Sequence, residues 1–487
     1  MVLLRIPNLF EPYWYGDEAI YLTVGTGLRQ GLVLYKDIID HKTPLIYVFA
    51  MLPSQFWFKL LFLAWTGGSL ILFYSIAIRI IRSKVGVAIA TTLFMLASTL
   101  PWFEGHIANG ELFVVGFILA GMAIFVRSNL FESFEKSHKE FVVQPWHMGL
   151  IGSFFSLGVL TKVPAIFDIA VVLATFAFFY ILSPTMHLFS HLVKSGIAML
   201  VGFAVPILGS ILYFASKQAL TEYLNYGLLY NFRYSSYFSV PDLNPIIRYV
   251  YTMNGKLTVV AVIFFLLAFI LKNAIRPLFR FTFMWFTLAL FASLLSSRPY
   301  PHYFQQVFPP LALLAGLLFS QWKSVIEKFL VCVAFFSFVG TLVVLHAGLY
   351  GITPYYKNFV QFATRNISTI EYRSRFNPLV NDTYKVARYI QTTTSPTDRI
   401  FVWGTNPMLY ALSKRVPSGR FTVSFHIKDF YAYEETMQAI ARTNPPVIVV
   451  MADENGEFKQ FYSYLVSKYT RVMNYPTMTI YRRMALP

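Results

Sequence analysis

Apolar residues in this chain fall into long unbroken runs, not into the alternation of a half-buried strand or the three-and-four spacing of a surface helix. The runs cover 45–57, 59–81, 86–101, 111–127, 147–161, 164–182, 195–215, 256–272, 279–296, 304–320 and 329–349. About 20 apolar residues make a helix that crosses the hydrocarbon core of a bilayer. The last ten runs are therefore read as spanning helices, and the first, which is short, as an interfacial helix. Residues 8–44 form a polar, aromatic-rich loop with one amphipathic stretch, Asp17–Leu32. Met1–Arg5 reads as the last turn of a missing helix, so the start of the sequence is expected to be truncated or misassigned.

From about residue 350 the pattern changes. Helical spacing appears at Asn381–Thr394, Asp429–Arg442 and Glu457–Lys468, with strand patterns at Arg399–Trp403, Val447–Met451 and Thr477–Arg482. Strands alternating with helices predict a small α/β domain. The expected architecture is a polytopic α-helical membrane domain over 1–349, with about ten spanning helices, followed by a soluble α/β domain over 350–487.

Composition agrees. Of 487 residues 56% are hydrophobic and 13% charged, where soluble domains carry about 25% charged. The net charge of +17 would point to nucleic acid in a soluble chain, but no basic stripe with interleaved aromatics forms such a face. The cations instead gather in alternate loops, at Arg79/Arg82/Lys84, Arg127/Lys136/Lys139, Lys194, Lys272/Arg276/Arg280 and Lys323/Lys328, which assigns those loops to the cytoplasm. The loop 8–44, the turns at 102–110, 162 and 297–303, the loop 216–255 and everything after 350 then face outward. Cys332 is the only cysteine and lies in an apolar run, so disulfides and zinc knuckles are excluded.

Candidate chemistry sits in the outward loops. The first carries adjacent carboxylates, Asp17 and Glu18, opening a helix; acids also favour a helix start for its dipole alone. The same loop ends Asp40-His41-Lys42-Thr43-Pro44, placing Lys42 at the membrane boundary, where a lysine either snorkels or binds a phosphate. Glu104, His106 and Glu111 border apolar helix ends, a costly position unless they are paired or used. Lys162 lies between two apolar runs, and Arg298 and His302 lie in Arg298-Pro-Tyr300-Pro-His302-Tyr303-Phe304. Asp17, Glu18, His106 and Glu111 converging would make a metal site. No HExxH or CxxC spacing supports one, so a divalent metal stays open and no cofactor is assigned. The loop tyrosines Tyr213, Tyr223, Tyr226, Tyr230, Tyr234, Tyr237, Tyr249 and Tyr251, with Arg233 and Arg248, are read as interfacial residues or alternatively as a lid over a sugar or prenyl chain.

Taken in order, four pieces resemble the GT-C glycosyltransferases, in particular the relatives of protein O-mannosyltransferases and of the lipid A aminoarabinose transferase. They are Gly16-Asp17-Glu18-Ala-Ile-Tyr21, His41-Lys42-Thr43-Pro44, Leu160-Thr161-Lys162, and Arg298–Phe304 with Pro309-Pro310. The resemblance covers roughly residues 10–350, with Ile20 and Thr43 departing from the family pattern. It implies transfer of a sugar from a polyprenyl-phosphate donor to an acceptor lipid, polysaccharide or protein at the outer face of the plasma membrane. By the same resemblance Asp17 would be the base, Glu18 its helper, and Lys42, Lys162, Arg298 and His302 the ligands of the donor phosphate, with inversion at the sugar. Glu104, His106 and Glu111 are supporting groups. The alternative is a transporter or flippase of lipid-linked sugars, which should carry ionisable residues near the bilayer midplane in broken or repeated helices.

Overall fold

The computed structural model describes residues 1–136, 144–231, 244–320, 324–454 and 456–484. Lys139, Arg233, Tyr234, Tyr237 and Lys323 lie outside the described residues. Each of the ten apolar runs becomes a helix: Gln55–Ile80, Lys84–Ala97, Gly110–Phe125, Pro145–Val159, Ile166–Leu182, Met186–Ser216, Met253–Phe265 with a π-helical continuation to Ile270, Pro277–Ser293, Phe308–Leu317 and Val325–Val344. Length separates them. Among the described residues, five are long and apolar enough to cross a membrane, or six if Gly110–Phe125 and Asn129–Lys136, bent by 67°, count as one span. At 1.5 Å per residue the 14-residue Lys84–Ala97 reaches only about 21 Å, short of the roughly 30 Å hydrocarbon core. The first apolar run is broken: Leu45–Phe49 is a five-residue helix, and the next begins at Gln55.

Contacts divide the chain into two compact units. The first comprises Met1–Arg5, Phe62–Tyr213 and Asn231–Ile352. Its helices approach closely where glycines face one another. A Cβ at Gly86 would lie 2.4 Å from the Gly316 carbonyl oxygen, and one at Gly202 1.9 Å from that of Gly149. Ser153 Oγ donates to the Gly202 carbonyl across the same crossing at 2.9 Å. With little hydrophobic force between helices in lipid, such small-residue contacts bring backbones together. The outward faces stay apolar: Ile71, Leu212 and Phe336 are each about two-thirds exposed, as lipid-facing residues should be.

The second unit comprises Ile6–Leu61, Phe214–Tyr230 and Thr353–Pro487. The first loop and residues 214–230 thus group with the C-terminal segment, unlike the simple division at 349/350. Its sheet has strands β1 (Phe401–Trp403), β2 (Val447–Met451), β3 (Tyr469–Asn474) and β4 (Met478–Arg483), ordered β1-β2-β4-β3, with β1 parallel to β2 and the other pairs antiparallel. β2 is buried throughout. Its alternation serves two cores: Ile448 and Val450 pack with Trp403 and Phe461, while Val447, Val449 and Met451 pack with Ile390, Leu409 and Ile480. β3 escaped the sequence reading because Thr470, Arg471, Val472 and Asn474 are exposed, which hides the period of two.

Candidate active site

The first-loop helix runs Gly16–Arg29 after an extended Tyr15, with Asp17 and Glu18 in its first turn, where the helix dipole favours negative charge. The two carboxylates point to different partners. Asp17 Oδ2 lies 3.2 Å from Lys42 Nζ, and the Asp17 side chain is 32% exposed. Glu18 is buried: Oε1 accepts from Gln55 Nε2 at 2.6 Å and lies 3.5 Å from Lys59 Nζ. Lys59 also donates to Glu11 Oε2 at 2.7 Å, and Glu11 Oε1 accepts from the Tyr355 hydroxyl. This network anchors the start of the helix. Lys59→Met strands two buried carboxylates and is expected to cost about 3–5 kcal/mol, read as a fall in melting temperature in detergent. Glu18→Gln preserves the acceptor for Gln55 and should cost less.

Lys42 is buried among aromatic and acidic groups. Its ammonium is 3.7 Å from Asp40 Oδ2 and 5.0 Å from the centroid of the Tyr21 ring. Its backbone is fixed at both ends, since its N–H donates to the Tyr47 hydroxyl at 3.1 Å and its carbonyl accepts from the Tyr35 hydroxyl at 2.6 Å. Asp40 is fully buried; its Oδ2 accepts from the Tyr47 hydroxyl at 2.7 Å. Its Oδ1 lies 3.0 Å from His41 Nδ1 and 3.6 Å from His426 Nε2. Burial alone would raise the Asp40 carboxyl, but Lys42 and His41 hold it well below the usual carboxylate range. Burial pushes the His426 imidazole down to about 3, which keeps it neutral. The segments meet through backbone pairing: Ile39 N donates to the Arg420 carbonyl at 2.7 Å and Ile39 bridges Phe421, just before the helix Ser424–Asp429 that carries His426.

The first unit holds a second buried cluster. Lys162 and Glu111 form an ion pair, and His302 Nδ1 contacts Glu104. His302 Nε2 lies 3.7 Å from Glu111 Oε1, Asn109 Nδ2 donates to Glu104 Oε2 at 3.1 Å, and Lys162 Nζ sits 4.1 Å from the Tyr303 ring centroid. Burial would lower the His302 imidazole, but Glu111 and Glu104 raise it above its ordinary value. With His302 protonated, the two cations and two carboxylates cancel. Glu104 takes a left-handed backbone, φ 55°, that ends the turn Pro101–Phe103, and so turns its side chain back toward Asn109. His106 is buried, edge-on to Tyr350 at 6.2 Å between centroids. Arg298 is half-buried beside Ser297, whose hydroxyl accepts from the buried Lys256 at 2.7 Å.

No protein-family model and no curated protein matches this sequence. Solved structures do. ArnT from Cupriavidus metallidurans bound to undecaprenyl phosphate superposes with TM-score 0.60 at 13% identity, over 99% of this chain and 96% of that one. The same protein in its apo state gives 0.56 at 12% identity over the same shares. At that identity the likeness is one of fold, shared over nearly the whole of both chains. The oligosaccharyltransferase of Archaeoglobus fulgidus follows at TM-score 0.40 and 14% identity, over 96% of this chain and 69% of that one.

The residues singled out in the sequence thus fall into two groups. Asp17 and Lys42 meet in the second unit, with Glu18 turned away toward Lys59. Lys162, Glu111, His302 and Glu104 meet in the first. Among the described residues, Asp17, Glu18, His106 and Glu111 are not the set whose ligand atoms converge; that set is Asp40, His41 and His426. Three buried groups were missed: the Glu11–Lys59 pair, Asp168 bonded to Trp285 Nε1 at 2.9 Å and to Gln306, and His426. The last had a signal, being the only histidine after residue 346. Of the loop tyrosines, Tyr223 stacks on Phe214 at 4.4 Å, Tyr226 accepts from Arg420 at 3.2 Å and Tyr230 donates to Asp429 at 2.7 Å. These described contacts are packing contacts within the second unit.

Proposed function

We propose that this chain transfers a sugar from a polyprenyl-phosphate donor to an acceptor hydroxyl on the extracytoplasmic side of the membrane, with inversion at the sugar. The fold supports this reading, and ArnT of the same fold is seen bound to undecaprenyl phosphate. The observation that carries it is the Asp17–Lys42 pair, a part-exposed carboxylate held 3.2 Å from a buried ammonium at the start of a membrane-proximal segment. In the proposed reaction a donor phosphate oxygen takes over Lys42 and releases Asp17. Asp17 then accepts the proton of the acceptor hydroxyl as its oxygen forms a bond to the anomeric carbon. The bond from that carbon to the phosphate oxygen breaks, and the electron pair leaves with the lipid phosphate, stabilised by a fixed cation in a partly dry site. Glu18, locked against Lys59, serves in placing the helix. A flippase should carry its ionisable groups mid-span; the clusters here lie at helix ends and in loops, which favours transfer.

Lys162 and His302 are proposed as further phosphate cations, with Arg298 beside the same turn. For His302 the sign is fixed by its raised value: the imidazolium is fully present below about 6.5 and is lost as pH rises through the higher folded value. Donor KM should therefore rise on the alkaline side, and His302→Gln should flatten that limb. A wild-type limb that persists unchanged in His302→Gln would remove His302 from the donor site. Transfer from a panel of radiolabelled polyprenyl-phosphate sugars in membranes tests the whole reading; no transfer from any donor, with lipid-linked sugar crossing vesicles instead, would favour the flippase.

A further inference from the structure

Asp168 is a buried carboxylate that the reaction above leaves without a role. It lies in the first turn of the helix Ile166–Leu182 and is 1% exposed. Its Oδ1 accepts from Trp285 Nε1 at 2.9 Å and its Oδ2 from Gln306 Nε2. Both donors are neutral, and a carboxylate buried in a spanning helix is costly unless it is used. Gln306 also donates to the Pro164 carbonyl at 3.4 Å, just past Lys162. It belongs to the 3-10 turn Pro301–Val307 that carries His302. Its neighbour Gln305 is fully buried and donates to the Phe103 carbonyl at 2.7 Å and the Ala97 carbonyl at 3.3 Å, beside Glu104. In a 3-10 turn residues three apart stand in line, so Gln305 follows His302 on one face and Gln306 lies one step round. The two glutamines tie the His302 turn to the Glu104 turn on one side and to the Lys162 turn on the other.

We propose that Asp168, acting through Gln306, is a positioning residue that sets the separation of Lys162 and His302. This rests on the transferase reading, in which those two cations hold the donor phosphate. A carboxylate that accepts at both oxygens requires Gln306 to present its amide NH2 and not its carbonyl, so the amide cannot flip. Trp285 holds the other oxygen and keeps the carboxylate from turning. The ion pairs with Glu111 and Glu104 cannot supply this constraint, because an incoming phosphate competes with both carboxylates for Lys162 and His302. The hydrogen bonds of Asp168 and Gln306 involve neither cation, so the spacing persists while the phosphate binds.

The test measures donor KM and kcat for transfer from a polyprenyl-phosphate sugar by the full chain in detergent, beside its melting temperature. Gln306→Leu and Asp168→Leu should lower kcat/KM by about 10–100-fold, the effect of a misplacement of roughly 1 Å, mostly through KM. In Gln306→Leu the alkaline limb of donor KM should also move to lower pH, because His302 loses its fixed place against Glu104, Glu111 and Lys162. Trp285→Phe removes the other donor to Asp168 and should lower the melting temperature while leaving KM near the wild-type value. Asp168→Asn/Gln306→Glu rebuilds the hydrogen bond with donor and acceptor exchanged. It should regain KM relative to Gln306→Glu alone, where two carboxylates face each other. Should the leucine variants fail to fold, Gln306→Asn keeps the amide but shortens its reach, and should raise KM in the same direction. The role is overturned if KM is unchanged in Gln306→Leu or Gln306→Asn, or if Trp285→Phe raises KM as far as they do. It is overturned too if the exchanged pair regains its melting temperature without regaining KM. A wild type that transfers with KM indifferent to these changes refutes this role alone; a wild type that transfers nothing refutes the transferase reading and the role with it.

Discussion

Asp17→Asn is expected to lower sugar transfer by about 10²–10⁴-fold, the usual contribution of a positioned general base, with little change in thermal stability. The two halves of this expectation have separate causes. Asp17 is 32% exposed and its ion pair with Lys42 is reached by solvent; such pairs contribute about 0–1 kcal/mol. Asparagine keeps the shape and can still accept a hydrogen bond from Lys42 through its amide oxygen, but it cannot take the acceptor's proton. The assay is transfer from a radiolabelled polyprenyl-phosphate sugar in membranes at equal expression, alongside the melting temperature of the purified variant. Glu18→Gln is the internal control, because its carboxylate is buried against Gln55 and Lys59. It should move the melting temperature more than Asp17→Asn does and transfer less. Undiminished transfer in Asp17→Asn would shift the base to Glu104 or Glu111 and refute the reading given to the first-loop pair.

That contrast also marks how far the sequence could be read. Asp17-Glu18 looked like one catalytic doublet, because adjacency in sequence does not say which way two side chains leave a helix. At 100° per residue they diverge, and the partners that separate them, Lys42 and Lys59, lie 25 and 41 residues on. The spanning segments were legible because each needs only its own run of apolar residues. Their lengths were not, because a helix can start and stop inside an apolar run, as Phe308–Leu317 does within the run 304–320. In the tail, β2 was read to the residue as Val447–Met451, because burial on both faces writes a continuous apolar run. The edge strand β3 has no such run. The convergence of Asp40 and His41 on His426 was beyond reach for a different reason. It depends on the pairing of Ile39 with Arg420–Phe421, a contact across some 380 residues that no local pattern encodes.

Lys42→Met should be the most damaging change at a single cation: transfer falls by about 10²–10³-fold, as when one fixed electrostatic contact to a developing charge is removed, and the fold weakens as well. Lys42 is 7% exposed and Asp40 not at all, so the substitution leaves a buried carboxylate without its ammonium, a loss of about 3–5 kcal/mol in comparable cases. Activity and stability therefore fall together, and the single variant does not tell a donor ligand from a structural ion. The double variant Lys42→Met/Asp40→Asn does. Neutralising Asp40 removes the stranded charge, so melting should recover most of the loss, while transfer stays low because no cation has been returned to the phosphate. Lys42→Arg supplies the third comparison. It restores charge but replaces a compact ammonium with a planar fork in the space between Tyr21, Tyr47 and Asp40, and should recover transfer only in part. Recovery of transfer in the double variant would mean that Lys42 matters only as the partner of Asp40, and the donor phosphate would then have to be sought at Lys162 and His302.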